Sequence, residues 1–202
     1  MLKLNNVSVT FDGKKVIDDT SVSFPDSGLV TINGPSGCGK STLLRAIMDL
    51  QKYKGEIITD ENAVISAVFQ ESNLMPWLTA AENVAAVCDI NEENMSRAKQ
   101  LLSILGLSYD DADKHPNELS VGMMRRVAAA RAMMIRSDIL ILDEPFAGLD
   151  ENNIITVSNL LFSNKNEQLI LLVTHVGNFS ADVNYTIKDG KLLQSESDLC
   201  RD

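Results

Sequence analysis

The chain has no excess of positive charge. Its 202 residues carry 18 lysines and arginines against 28 aspartates and glutamates, a formal net charge of −10. Such a chain does not draw in nucleic acid or anionic lipid by bulk electrostatics. Three cysteines, Cys38, Cys88 and Cys200, show no paired spacing; this gives no disulfide framework and fits a reducing compartment. The two histidines, His115 and His175, form no cluster with them, so metal binding through His and Cys has no support. Long apolar runs are missing too. Ile139–Leu142 and Leu169–Val173 fall far short of the roughly 20 residues of a membrane span, and the opening MLKLNNVSVTF lacks the apolar core of a signal peptide. Repeats, low-complexity tracts and long linkers are absent. These absences leave a cytosolic protein of one domain, or one domain with a sub-lobe. If it works at a membrane, another chain takes it there.

What is present is concentrated in residues 34–42, Gly34-Pro35-Ser36-Gly37-Cys38-Gly39-Lys40-Ser41-Thr42, between a strand-like and a helix-like run. This is the phosphate-loop pattern G-x-x-x-x-G-K-[ST]. Successive backbone N–H groups in such a loop form an anion cradle, and the following helix adds its positive end. Glycine is required where the backbone turns sharply and a phosphate comes close. Lys40 is placed to reach the β- and γ-phosphates of a nucleotide, and Ser41 to ligate Mg²⁺. Because ATP is itself an anion, an acidic chain must bind it through this local cradle. Cys38 is either a tolerated loop position or a thiol with a lowered pKa at a helix N-terminus.

The rest of the chain supplies a frame. Leu2–Phe11 and Val16–Phe24 alternate loosely around Asp12-Gly13-Lys14 and read as a hairpin. Leu29–Asn33 is a short buried strand entering the phosphate loop, and Lys40–Leu50 shows one apolar helix face through Leu43, Leu44, Ile47 and Leu50. Strands are expected at 56–59 and 64–69. From Glu71 to about Met134 the pattern is helical, led by 79–88 and 92–106. Ile139–Leu142 is fully apolar, as in a parallel sheet covered on both faces. A helix over 151–163, a buried strand over 169–174 and a final strand and return around Asp189-Gly190 complete an α/β sheet interrupted by a helical insert.

The apolar run Ile139–Leu142 ends in Asp143 and Glu144. Two carboxylates at a strand end are common, but with a phosphate loop upstream they form the second half of a nucleotide-hydrolysing site. Asp143 would support Mg²⁺, usually through a water. Glu144 would polarise the attacking water as a general base.

With these residues in place the chain resembles the ATP-binding cassette (ABC) family over nearly its whole length. Val30–Leu44 looks like the Walker A region and Leu140–Pro145 like Walker B. Gln70 looks like the Q-loop glutamine, Leu119-Ser120-Val121-Gly122-Met123 like the signature, His175 like the switch histidine, and Ala147-Gly148-Leu149-Asp150 like the D-loop. Phe11 sits where the family keeps an adenine-stacking aromatic, the reading preferred over a hairpin core residue. Gln70 could cap a strand, and His175 could be a core histidine. His115 reads as a loop residue before Pro116. The resemblance implies a single domain over 1–202: a RecA-like P-loop core with a mixed sheet, an N-terminal antiparallel β part and a helical subdomain inserted at about 71–135.

The resemblance also implies a head-to-tail dimer, with an identical or homologous ATPase chain, holding two ATPs. Each site would combine Phe11, Lys40, Ser41, Gln70, Asp143, Glu144 and His175 of one chain with Ser120 and Gly122 of the other. Asp150 would communicate across the interface, and Gln70 would link Mg²⁺ to the helical lobe. The segment Ser72–Thr79, followed by Glu82-Asn83-Val84, is similar to nitrate, sulfonate and taurine importer ATPases. An importer subunit would need permease chains and a substrate-binding protein, and would sit at the inner face of the cell membrane; nucleic acid is not an expected partner. Trp77 would either face the permease groove or pack within the helical lobe. An exporter ATPase, a soluble cassette ATPase and a small-molecule kinase are the other readings, the last leaving the signature and His175 unexplained. The chain departs from the family at Val121, where glycine is usual, and at Met124 and Arg125, where Arg-Gln is usual. The stretch between Gly55 and Gln70 is short. The end soon after Leu193 suggests a minimal motor without a C-terminal regulatory domain.

Overall fold

The computed structural model describes residues 1–195; Cys200 lies outside them. Strands β1 (Leu2–Phe11) and β2 (Lys14–Ser23) form the expected antiparallel hairpin, and β4 (Lys54–Thr59) pairs with the other edge of β1. A second, six-stranded sheet runs β5-β6-β7-β3-β8-β9, with β5 (Ile65–Val68), β6 (Ile139–Asp143), β7 (Leu169–Val173), β3 (Gly28–Asn33), β8 (Val183–Lys188) and β9 (Lys191–Gln194). Only its last pair, β8 with β9, is antiparallel.

Alternation along the central strands sorts their side chains between two cores. Ile139 and Ile141 of β6, with Leu169, Leu171 and Val173 of β7, pack with helix α1 (Lys40–Ile47) and the antiparallel sheet. Leu140 and Leu142, with Ile170 and Leu172, pack on the opposite face with the helices inserted between β5 and β6. Both faces are covered, so every residue of β6 and β7 is buried. This is why these strands are apolar in sequence up to Asp143 at the end of β6.

The insert comprises α2 (Ala80–Ala85), α3 (Glu92–Ile104), α4 (Tyr109–Ala112), a single 3₁₀ turn at Pro116–Glu118, and α5 (Val121–Ala132). Thr79 caps α2 in a reciprocal pair with Glu82. On α3 the expected apolar spacing holds: Ala98 and Leu102 are buried, while Met95 and Leu101 pack at the margin. Helix α6 (Glu151–Leu161) follows Asp143 and Glu144, and α2, α3 and α6 are shorter than the 79–88, 92–106 and 151–163 that the helical pattern suggests.

One boundary is corrected. The apolar face beginning at Lys40 stops at Ile47 rather than Leu50, and Leu50 is 62% exposed. Asp49 takes a left-handed φ of 58°, its N–H donates to Ala46 O at 3.0 Å, and Leu50 N–H donates to Arg45 O at 2.9 Å. That is a Schellman termination with aspartate in the position glycine usually takes. Among the described residues no helix is long and apolar enough to cross a membrane.

Candidate active site

The phosphate loop joins the C-terminal end of the central strand β3 to the start of α1. Its backbone needs glycine. Gly39 has φ 107°, and a β-carbon there would lie 2.7 Å from Val16 Cγ1. Gly39 also occupies the N-cap of α1, where no side chain accepts from the first-turn N–H groups. These donors, at the positive end of the helix and with no acidic residue in the first turn, are free for an anion. Lys40 is buried to 7% exposure, yet its ammonium donates only to loop carbonyls, Gly34 O at 2.8 Å and Pro35 O at 3.0 Å. Its charge is therefore held at the cradle and, among the described residues, paired with no carboxylate. Cys38 packs under the loop, its Sγ 2.7 Å from where a β-carbon on Gly34 would be.

A cleft of about 390 Å³ opens over this loop, and its lining brings together Ser36, Gly37, Lys40, Ser41, Gln70, Asp143, Glu144 and His175. The ends of β5, β6 and β7 deliver the last four. Asp143 is buried and its Oδ1 has no hydrogen-bond partner among the described residues. A buried carboxylate oxygen without a donor is costly, and a cation beside it removes the cost. With the Ser41 hydroxyl and the Gln70 amide oxygen it gives the hard oxygen donors that Mg²⁺ prefers. Among the described residues no group of three or more His, Cys, Asp or Glu side chains could hold a metal alone, so phosphate oxygens would have to complete the shell.

Glu144 is placed with force. Its φ is 53°, a left-handed conformation that a non-glycine residue adopts only under constraint. Glu144 N–H donates to Val173 O at 2.9 Å, and the His175 N–H donates to Glu144 Oε2 at 3.2 Å. Glu144 Oε1 lies 3.5 Å from His175 Nε2. The carboxylate and the imidazole therefore share one corner of the cleft.

An adjoining hollow of about 240 Å³ is lined by Phe11, Val16, Gly37, Gly39, Lys40, Ser41 and Thr42. Phe11 is 44% exposed at the end of β1, which removes the hairpin-core alternative and leaves its ring free at the cradle's edge. Gly34, Pro35 and Cys38 belong to the loop but line neither space, and Ser120, Gly122 and Asp150 lie away from both. Ser120 caps α5, its Oγ accepting from Met123 N–H at 3.2 Å. Gly122 lies in the first turn of α5, and Asp150 caps α6, accepting from Asn153 N–H at 2.9 Å. The Asn153 N–H and side-chain amide hold the Asp150 carboxyl below its ordinary pKa. Val121 is a 59% exposed first-turn residue, a position with no positive φ, so its branched side chain meets no backbone restriction there. His115 precedes the 3₁₀ turn, away from the cleft.

Trp77 is 71% exposed and does not pack within the helical subdomain. The loop that carries it is held by the buried Asn83, whose side chain accepts from Met75 N–H at 2.7 Å and donates to Met75 O, Leu78 O and Thr79 O. Sequence reasoning missed Arg131, which donates to Ser72 O at 2.9 Å and Asn73 O at 3.0 Å and so ties α5 to the segment after Gln70. Burial without an acidic partner lowers its pKa. The one signal was an arginine within the alanine-rich run 128–132.

Comparison with known proteins places this geometry. A sequence profile of the family described as ABC transporter matches residues 17–147. The aliphatic sulfonates import ATP-binding protein SsuB 2 of Agrobacterium fabrum is 38% identical over 174 residues, 82% of this chain and 66% of that protein. The taurine import ATP-binding protein TauB of Rhizobium johnstonii is 37% identical over 193 residues, 87% of this chain and 73% of that protein. The chain thus spans about two thirds to three quarters of the length of these relatives. A solved structure, the ATP-binding cassette MJ0796 as a post-hydrolysis dimer with ADP and phosphate, superposes with a TM-score of 0.88 at 30% identity, covering 96% of this chain and 98% of that one.

Proposed function

The chain belongs to the ABC transporter family as an ATP-binding and ATP-hydrolysing subunit, and from that premise we propose that it drives a bacterial-type importer through a separate membrane permease. The observation that carries the ATPase mechanism is the convergence of Lys40, Ser41, Gln70, Asp143, Glu144 and His175 on one cleft at the uncapped start of α1.

In this mechanism the adenine stacks on Phe11, and the phosphates lie over Gly34–Thr42, taking N–H donors from the loop and the first turn of α1. The Lys40 ammonium exchanges its loop carbonyls for β- and γ-oxygens. Ser41, Asp143 and Gln70 would hold Mg²⁺, which would supply positive charge to offset that of the phosphates. The Glu144 carboxylate orients a water, accepts its proton as the water oxygen bonds to the γ-phosphorus, and ADP departs from the opposite side. His175 holds a γ-oxygen and fixes the Glu144 carboxylate through its N–H. Rate acceleration comes from position and preorganised charge.

Ser120, Gly122 and Asp150 serve a different site, that of a second chain, identical or homologous, packed head to tail. Gly122 supports this. A β-carbon there would meet nothing closer than Leu149 Cδ2, at 3.6 Å, so the chain's own fold does not require glycine. The unit acts as one domain over 1–202, with the helical subdomain at about 71–135 rotating as the dimer closes.

The importer reading rests on the relatives' printed roles in sulfonate and taurine import and on the exposed Trp77 in the segment after Gln70. A permease, a substrate-binding protein and a location at the inner face of the cell membrane follow from it. The test is recovery of tagged Glu144→Gln protein from native membranes with ATP, followed by mass spectrometry. A polytopic membrane protein in stoichiometric amount is the expected result. Soluble partners alone, under conditions where the ATP-bound dimer forms, would replace the transporter with a soluble cassette ATPase.

A further inference from the structure

We infer that Arg126 is a positioning residue that locks the signature turn to the 148–153 segment, so that the elements one chain offers its partner move as a single body. The inference rests on the two-chain reading above.

Arg126 lies one turn into α5, and its guanidinium reaches three elements at once. Its Nε donates to Gly122 O at 3.4 Å, in the signature turn itself. Its Nη1 donates to Leu105 O at 2.8 Å and Gly106 O at 3.3 Å, just past the end of α3. The same nitrogen donates to Asn153 Oδ1 at 3.3 Å. Asn153 in turn grips Asp150 twice, through its N–H to Oδ1 at 2.9 Å and through Nδ2 to Oδ2 at 2.7 Å. A continuous path thus runs from Gly122 through Arg126 and Asn153 to Asp150.

The neighbouring side chain holds the other end of the segment. Arg125 Nη1 lies 2.6 Å from where a β-carbon on Gly148 would stand, so the guanidinium lies directly on the backbone of that glycine. Two consecutive arginines of α5 therefore cover residues 148–153 from the side of the inserted helices. A planar fork with fixed donor directions suits such a joint, because it meets several acceptors at fixed angles. None of these contacts touches the chain's own phosphate cradle. The joint therefore affects what the chain gives a partner while leaving its own nucleotide binding alone.

The test uses Asn153→Ala in the Glu144→Gln chain. The substitution leaves the Asn153 N–H on Asp150 and the other Arg126 bonds intact, so α6 and the inserted helices keep their caps. ATP affinity of the isolated chain, measured at low protein concentration, is expected to stay within about twofold. ATP-dependent dimerisation, measured by sedimentation, is expected to weaken about tenfold, the scale of one charge-assisted hydrogen bond. With Glu144 restored, the cooperativity of hydrolysis in ATP is expected to fall toward unity. Arg126→Met is the second variant; if it folds, combining it with Asn153→Ala adds no further loss, as expected of one shared path. Unchanged dimerisation and cooperativity in Asn153→Ala would overturn the inference. If the Glu144→Gln parent itself does not dimerise with ATP, the two-chain reading falls and takes this joint with it.

Discussion

Replacing Gly122 with alanine separates what the chain needs for itself from what it gives a partner. Gly122 is the second residue of α5 and has no positive φ. The nearest atom to an added β-carbon is Leu149 Cδ2 at 3.6 Å, and Gly148 O follows at 4.0 Å; both are ordinary contacts. Alanine in place of glycine on a helix gains about 0.4–1 kcal/mol, mostly from the unfolded chain. The melting midpoint should therefore rise by about 1–4 °C for a chain of this size. ATP binding by the isolated chain should not change, because no cradle atom is involved. Hydrolysis should move the other way. If Gly122 abuts the partner's γ-phosphate, the methyl group displaces an approach worth about 1.5–3 kcal/mol, a loss of about ten- to a hundredfold in kcat/KM. Gly39→Ala is the contrasting control. Its φ of 107° and the 2.7 Å approach to Val16 Cγ1 cost about 1–2 kcal/mol for the backbone and about 1–3 kcal/mol for overlap, so that variant should lose stability and nucleotide affinity together. The assays are thermal unfolding, fluorescent-nucleotide titration and phosphate release on the three proteins. A Gly122→Ala protein that melts lower than the parent, or hydrolyses ATP at the parental rate, would refute the reasoning.

Three further outcomes follow from local geometry. Trp77→Ala should leave the melting midpoint nearly unchanged, within about 0.5 kcal/mol of stability, because the ring is 71% exposed, while reducing the amount of permease recovered with the protein; undiminished recovery would remove Trp77 from the docking surface. Asn83→Leu removes three donor contacts and one acceptor contact in a fully buried position, and should lower stability by about 2–5 kcal/mol, with protease cleavage appearing first in the 75–79 loop. Asp111 is held down to about 2 by hydrogen bonds from Lys114 and Ser108. Because this folded-state pKa lies below the unfolded aspartate value of about 3.9, the contribution is full above that value and is lost as pH falls toward the folded pKa. The difference in melting midpoint between wild type and Asp111→Asn should therefore shrink on acidification across that window; a constant difference would show that Asp111 acts otherwise.

Much of this architecture could be read in the sequence, and the reasons differ from place to place. Ile139–Leu142 and Leu169–Val173 were legible because strands covered on both faces have no polar positions to blur them. The cradle was legible because its glycines and Lys40 answer to a backbone geometry and an anion at once. The end of α1 was not, since Leu50 keeps the helical spacing and the stop comes from Asp49 entering a conformation that glycine usually marks. Trp77 stayed ambiguous because an aromatic residue beside a helix suits burial and docking equally; its exposure removes burial. The strained backbone of Glu144 left no trace, since any strand-ending carboxylate looks the same in one dimension. Arg126 and Arg131 were hidden for a related reason. Arginines on a helix read as a solvated face, and apart from Gly122 O the oxygens they meet lie 20 or more positions away, between residues 72 and 153.

The claim that an active site needs two chains is tested most directly by mixing two inactive ones. Lys40→Ala destroys a chain's own cradle and leaves its signature intact; Ser120→Arg blocks the signature and leaves the cradle intact. In a head-to-tail dimer of the two, the cradle of the second meets the signature of the first and one complete site returns. The account predicts that the mixture hydrolyses ATP well above the sum of its components. A mixture no more active than that sum, with dimers demonstrably formed, would mean that Ser120 and Gly122 act on their own chain or not at all, and the shared site would be wrong.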